Sequence, residues 1–196
     1  MKYDHQINLK PGFKLMWRAI YRQGPVHNKA LRDFLNENLA KGFIQLSSSL
    51  QAASFFFIPK KDGQARPVQD YWYLNKSAVK NTYPIPRIND LIDKLIGKKL
   101  FIKMNIQCGY NNVRIWEGNE WKAAFSCKFR LYKPLVMFFG LTNSSATFQL
   151  MMNDIFQPEI LQVVSWLHQQ PSSFKQRRLW RPYSKAITVL KKLKEH

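Results

Sequence analysis

PLVMFFGLTNSSATFQLMMN, residues 134–153, contains no charged side chain, in a chain that carries 31 Lys and Arg against 12 Asp and Glu. Residues 135–139 form a short apolar run fit for a buried strand, and Gly140 breaks it. Asn143, Ser144 or Ser145 then stands in position to cap a helix running through Phe156. Helical spacing sends Ala146, Gln149, Met152 and Asn153 along related faces, so that Gln149 points toward a cleft while Phe148, Met151 and Ile155 pack. The same pattern equally suits a plain core strand, turn and helix. The stretch is too rich in Asn, Ser, Thr and Gln to span a membrane.

A length of 196 residues with 45% hydrophobic content supports one large domain or two small lobes around a true core. The net charge of +19 favours a polyanionic partner, because each phosphate that is neutralised releases condensed counterions. Nucleic acid is the first expectation and an acidic membrane surface the second. Six Trp, eight Tyr and fourteen Phe add rings on which bases can stack, although most such rings, Phe55 to Phe57 among them, are expected in the core. Cys108 and Cys127 lack any CxxC or Cys-His spacing, which argues against a zinc site or a disulfide framework and fits a reducing compartment, cytoplasmic or nuclear. Neither an apolar leader nor eighteen uninterrupted apolar residues occurs, so no membrane partner is expected.

Working outward, residues 1–27 are polar, basic and broken by Pro11-Gly12 and Gly24-Pro25; they read as an extended lead-in in which no core begins. From Asn28, Leu31, Phe34, Leu35, Leu39 and Phe43 keep helical spacing, and Gly42 stops the helix. Residues 54–58 and 66–71 flank Lys60-Lys61-Asp62-Gly63, an Asp-Gly signal for a β-hairpin with a basic tip. A second helix follows Pro84 and Pro86, with Ile88, Leu91, Ile92, Leu95 and Ile96 on one face. Residues 100–106, 111–115, 122–127 and 131–139 read as strands, the first two separated by a Gly-Tyr turn. The sum is an α+β pattern rather than regular βαβ units. After Phe156 the character changes, with no Asp or Glu from Ile160 to Lys194; residues 157–182 read as a divergent linker and 183–196 as a basic helix.

Four segments in this order resemble the reverse transcriptase of gypsy-type long-terminal-repeat retrotransposons. FFIPKKDGQARPVQDYWYLN (56–75) is similar to its fingers hairpin, NTYPIPRINDLIDKL (81–95) to the helix before the palm, and KMNIQCGYNNVRI (103–115) to the first catalytic strand. VMFFGLTNSSATFQLMMNDIF (136–156) is similar to the segment beneath the templating base and the nucleotide. The resemblance implies fingers over 28–86 and a partial palm over 87–156, with a ferredoxin-like antiparallel sheet and helices on one face. It also implies an RNA-directed DNA polymerase ancestry, here as a truncated, degenerate copy, with an RNA or DNA template-primer as partner.

Such a polymerase directs a primer hydroxyl at a nucleotide's α-phosphate with two Mg²⁺ ions held by carboxylates. By resemblance one carboxylate belongs at Asn105 and a pair belongs in a Tyr-x-Asp-Asp turn, where Val163 to Gln170 stand instead. An amide oxygen carries no charge. At about 4 Å and an effective dielectric near 20, losing one unit charge is worth on the order of 4 kcal/mol per ion charge, roughly a thousandfold in rate. The expectation is therefore a copy with no metal site and no catalytic residue intact.

Other family positions are retained. Lys60, Lys61 and Arg66 match the fingers residues that grip the incoming triphosphate, Tyr110 the residue that abuts the sugar, and Gln149 a nucleotide-contacting helix residue. On the residues alone, Lys60 and Lys61 serve as well as solvated turn charges, Tyr110 as packing and Gln149 as a solvent-facing amide. Trp72 stands where the family has Arg and Ser145 where it has Pro, which predicts a loosened fingers region and helix start. The competing function is a non-catalytic basic module that binds nucleic acid through charge and exposed rings.

Overall fold

The computed structural model describes residues 2–21, 24–59, 65–85, 87–93, 96 and 106–160. These fall into two compact units, one within 1–82 and 108–148 and the other within 83–107 and 149–196. The strand expected at 100–106 up to Asn105, the linker at 157–182 beyond Ile160, and the basic helix at 183–196 lie outside the described residues, as do Lys60 and Lys61.

In the first unit, helix α1 (Pro25–Ala40) begins earlier than its apolar spacing suggests. Gly24 is the extended N-cap and Pro25 occupies the first turn, where its missing N–H is no loss and its fixed φ already suits a helix. Gly42, at φ +68°, ends the helix and turns the chain into strand β1 (Ile44–Leu46). Strands β2 (Ala53–Pro59) and β3 (Ala65–Gln69) form the expected hairpin, in register from Phe55 opposite Gln69 to Pro59 opposite Ala65. Strands β4 (Phe125–Ser126) and β5 (Leu131–Pro134) complete a five-stranded sheet of order β1-β5-β4-β2-β3. The α+β fold is thus present, but the sheet is mixed rather than wholly antiparallel, because β2 and β4 run parallel.

One apolar cluster joins the sheet to α1. Leu31 and Leu35 pack with Ile44, Phe55, Phe125, Tyr132, Val136 and Phe138, all buried. The rings interlock, with Phe55 and Phe125 centroids 5.9 Å apart and Phe125 stacked on Tyr132 at 5.9 Å. Strand alternation divides the triple Phe: Phe55 and Phe57 serve this cluster, whereas Phe56 meets Tyr21 edge-on at 5.4 Å.

A second cluster corrects the reading of the lead-in. Ile7 is buried with Tyr71, Leu74, Ile115, Ala123 and Leu141, so core does begin before residue 27. The segment is held by isolated bridges of His5 to Ile115, Leu9 to Ala78 and Trp17 to Ala52, and by Lys122, whose Nζ donates to the Ile7 carbonyl at 2.7 Å. Long-range backbone pairing of this kind leaves no periodic trace in a polar sequence. Tyr71, at the entrance to the short helix α2 (Trp72–Ser77), is fully enclosed and donates its hydroxyl to Ala123 O at 2.9 Å.

Two expected strands are largely replaced. Residues 109–112 form a 3₁₀ turn, and residues 114 and 115 pair only through single bridges to Val136 and His5. Over 122–127, a second 3₁₀ turn (Glu120–Ala123) precedes the two-residue β4. Gly109, Asn111 and Asn112 disfavour extended backbone, and Asn111 spends its amide on Met137 O at 3.1 Å instead.

In the second unit, helix α3 (Ile88–Asp93) occupies the expected place, yet Ile92 and Ile96 are exposed. Helix α4 (Ser144–Ile160) is the helix expected after Gly140, and it contributes Phe148 and earlier residues to the first unit and later residues to the second. Among the described residues, no helix is long and apolar enough to cross a membrane.

Candidate functional site

The turn that leads into α4 is built from the uncharged segment and fixed by side chains outside it. Gly140 has φ +95°, a conformation an L side chain resists, and Asn75 clamps the turn from α2. The Asn75 amide donates to Gly140 O at 2.6 Å, and its carbonyl accepts from Thr142 N at 2.7 Å. Asn143 sits in the left-handed region at φ +67°, and its carbonyl accepts the first helical bond, from Thr147 N at 2.9 Å. Its side chain does not cap the helix as expected. Its Oδ1 accepts from Asn81 N at 2.9 Å and its Nδ2 donates to Val79 O at 2.8 Å, so the residue ties α4 to the loop after α2.

Tyr110 lies against this turn. Its hydroxyl is 3.2 Å from Ser145 Oγ, and its ring meets Phe139 and Phe148 edge-on, at 5.0 and 5.5 Å. Burial pushes the phenol above its ordinary pKa, partly offset by the Ser145 hydrogen bond. Ser145, expected to loosen the helix start, therefore fixes a ring. Phe139 is 67% exposed, so this aromatic group borders solvent. Cys108, left-handed at φ 52°, sets the direction in which the 109–112 turn presents Tyr110.

His5 is buried on the same unit, with Nδ1 3.0 Å from Thr147 Oγ1 in the first turn of α4. Burial lowers its pKa to about 4, so the ring is neutral at pH 7. Neither His5 nor Asn75 was singled out by sequence. Asn75 stood inside the quoted YWYLN segment and His5 in a polar lead-in, and only their partners reveal them.

Of the six residues singled out in sequence, Arg66 is exposed on β3 opposite Ile58. Gln149, in the second unit, is 5% exposed rather than solvent-facing. Its Nε2 donates to Asn153 Oδ1 at 2.8 Å, and Asn153 Nδ2 donates to Tyr83 OH at 2.8 Å. Tyr110 and Arg66 belong to the first unit and Gln149 to the second.

Among the described residues, no group of three or more His, Cys, Asp or Glu could hold a metal ion. Asp4 and Asp70 are engaged by guanidinium groups, those of Arg114 at 3.3 Å and Arg18 at 3.6 Å.

The chain is 36% identical over 135 residues to the Transposon Tf2-3 and Tf2-7 polyproteins of Schizosaccharomyces pombe (strain 972 / ATCC 24843), a match covering 69% of this chain and 10% of each relative. It thus spans about a tenth of the length of the curated relatives it matches. Among solved structures, the fold is similar to a foamy viral protease-reverse transcriptase in complex with RNA/DNA hybrid, with TM-score 0.75, 15% identity, and coverage of 98% of this chain and 25% of that one. The native prototype foamy virus protease-reverse transcriptase gives TM-score 0.69 at 20% identity, covering 79% of this chain and 21% of that one. Residues 58–170 match the family described as reverse transcriptase (RNA-dependent DNA polymerase), and the chain belongs to that family.

Proposed function

We propose that the chain is a degenerate fingers and partial palm from a gypsy-type long-terminal-repeat retrotransposon, intracellular, able to bind nucleic acid and unable to polymerise it. The four ordered sequence segments and the relatedness to Tf2 polyproteins support the lineage. The observation that carries the loss of activity is the donor set. Asn105 offers a neutral amide where the family places a carboxylate, and no Asp or Glu occurs from Ile160 to Lys194, where the paired carboxylates belong. These residues do not fit a pair of Mg²⁺ ions, so no catalytic step is assigned to them.

The same reading gives Lys60, Lys61 and Arg66 the role of a triphosphate grip, Tyr110 that of the residue abutting the sugar and Gln149 that of a nucleotide-contacting helix residue. Arg66 suits it by exposure and charge, and Tyr110 by a ring held between Phe139, Phe148 and Ser145. Gln149 would have to exchange its bond to Asn153 for one to a nucleotide.

Primer extension on an RNA template with Mg²⁺ or Mn²⁺ tests the proposal. The expected result is no incorporation above a heat-killed control; incorporation overturns it. A basic binding module with no nucleotide site is the second reading, favoured by the charge of +19. It predicts nucleic-acid binding that falls steeply with salt and is indifferent to added deoxynucleoside triphosphate.

A further inference from the structure

Away from the residues assigned above, the first unit has a groove of about 430 Å³ between residues 10–18 of the lead-in and α2. The protein fixes both walls itself: Lys10 N donates to Ser77 O at 2.9 Å, Lys10 Nζ to Lys76 O at 3.1 Å, and Tyr73 OH to Lys14 O at 2.8 Å. Half-buried Phe13 and Met16 line one side, with Phe13 packed on Tyr73 at 5.8 Å. Trp72, the first residue of α2, stands on the other with 61% of its surface in water. The groove is therefore preformed and concave, with room for one large apolar side chain and its flanking backbone.

Its rim is positive. Lys10, Lys14, Arg18 and Lys76 line the groove, and no acidic residue does. Asp70 engages Arg18 at 3.6 Å, which leaves the three lysines as surplus charge. Arg18 Cζ and Lys76 Nζ already lie over the Trp72 ring, 5.7 and 5.4 Å from its centre. A flat base could stack there only by displacing a cation and forfeiting that attraction. Carboxylates reach the same cations from their outer side and leave the ring contacts intact, while an aliphatic side chain gives Phe13 and Met16 an apolar neighbour. Charge complementarity and the apolar seat together select an acidic protein segment.

We propose that the groove docks an extended acidic peptide of a partner protein, with one large apolar side chain seated among Phe13, Met16 and Trp72 and the flanking carboxylates held by Lys10, Lys14 and Lys76. Exposed ion pairs each contribute little, so the apolar anchor decides selectivity and the lysines mainly speed encounter. Neither nucleic-acid binding nor the nucleotide site enters this inference, which stands apart from the proposed function.

Fluorescence anisotropy with the full chain tests it at about 0.15 M salt, where diffuse attraction is screened. The probe is a labelled peptide of about ten residues, Glu and Asp around a central Leu-Phe pair, and its control carries Ser-Ser at the centre with the same charge. The parent binds the Leu-Phe peptide at least about tenfold more tightly than the control, and Trp72→Ala removes that preference. Lys14→Glu with Lys76→Glu weakens both peptides about tenfold or more. Circular dichroism of each variant confirms the fold. Equal binding of the two peptides by the parent, or no binding of either, overturns the proposal, as does a Trp72→Ala variant that keeps the preference. An oligothymidylate that displaces the Leu-Phe peptide and loses affinity on Trp72→Ala as the peptide does also overturns it, by showing a nucleic-acid surface instead.

Discussion

His5 Nδ1 lies 3.0 Å from Thr147 Oγ1, a contact spanning 142 positions of sequence that fastens the lead-in to the first turn of α4. Burial holds the His5 pKa near 4 against an ordinary value of 6.5, so the folded state refuses a proton that the unfolded chain accepts. The stabilisation is complete above pH 6.5 and is lost as pH falls from there to about 4. Its size is about 3 kcal/mol. Urea unfolding of the parent and of His5→Gln between pH 7.5 and 4 measures it: the parent should lose about that much more stability than the variant, and parallel pH profiles would rule the mechanism out.

Asn75 holds the turn at Gly140 through two hydrogen bonds. Replacing it by Ala leaves Gly140 O and Thr142 N without those partners and should destabilise the first unit by about 1–2 kcal/mol. Asn75→Asp keeps the acceptor for Thr142 N but not the donor to Gly140 O, and should fall between. An alanine variant with an unchanged urea midpoint would show that water replaces both bonds at no cost.

Phe125 is wholly buried and touches Phe55 and Tyr132. Phe125→Ala should cost about 3–5 kcal/mol, enough to unfold much of a marginal domain at 37 °C. Phe125→Leu, closer in volume, should retain a cooperative melt. Similar melting temperatures for parent and alanine variant would contradict the placement of the core.

On the proposed function, Asn105→Asp restores one family carboxylate and supplies nothing for the paired ones, since no Asp or Glu occurs from Ile160 to Lys194. Its primer-extension activity should stay at the level of the heat-killed control, because two ions need several charged ligands. Activity from this single substitution would mean that carboxylates elsewhere in the chain complete the metal site.

The hairpin of β2 and β3 was legible because Asp62-Gly63 sits between two strand-forming runs, and α1 because a 3.6-residue period needs no tertiary knowledge. The helix after Gly140 was legible for the same reason, though its cap was not. Asn143 has the residue type of a cap, but a short amide can bond in several directions, and here Asn81 N and Val79 O compete successfully for it. The strand expected at 111–115 failed because alternation of Val113 and Ile115 with polar residues also fits a 3₁₀ turn followed by two isolated bridges.

Sequence by itself determined the family and the α+β class, since these depend on residue identity and on spacing within single segments. Tertiary structure alone decided that the lead-in is core, that Gln149 gives its amide to Asn153, and that Ser145 steadies Tyr110. Gln149 and Asn153 share a helix face, but whether such a pair bonds internally or turns outward depends on the surroundings that bury it. The uncharged run 134–153 marked a turn and a helix start; the partners that fasten them, Asn75 at Gly140 and His5 at Thr147, lie far away in sequence and are brought there by the fold alone.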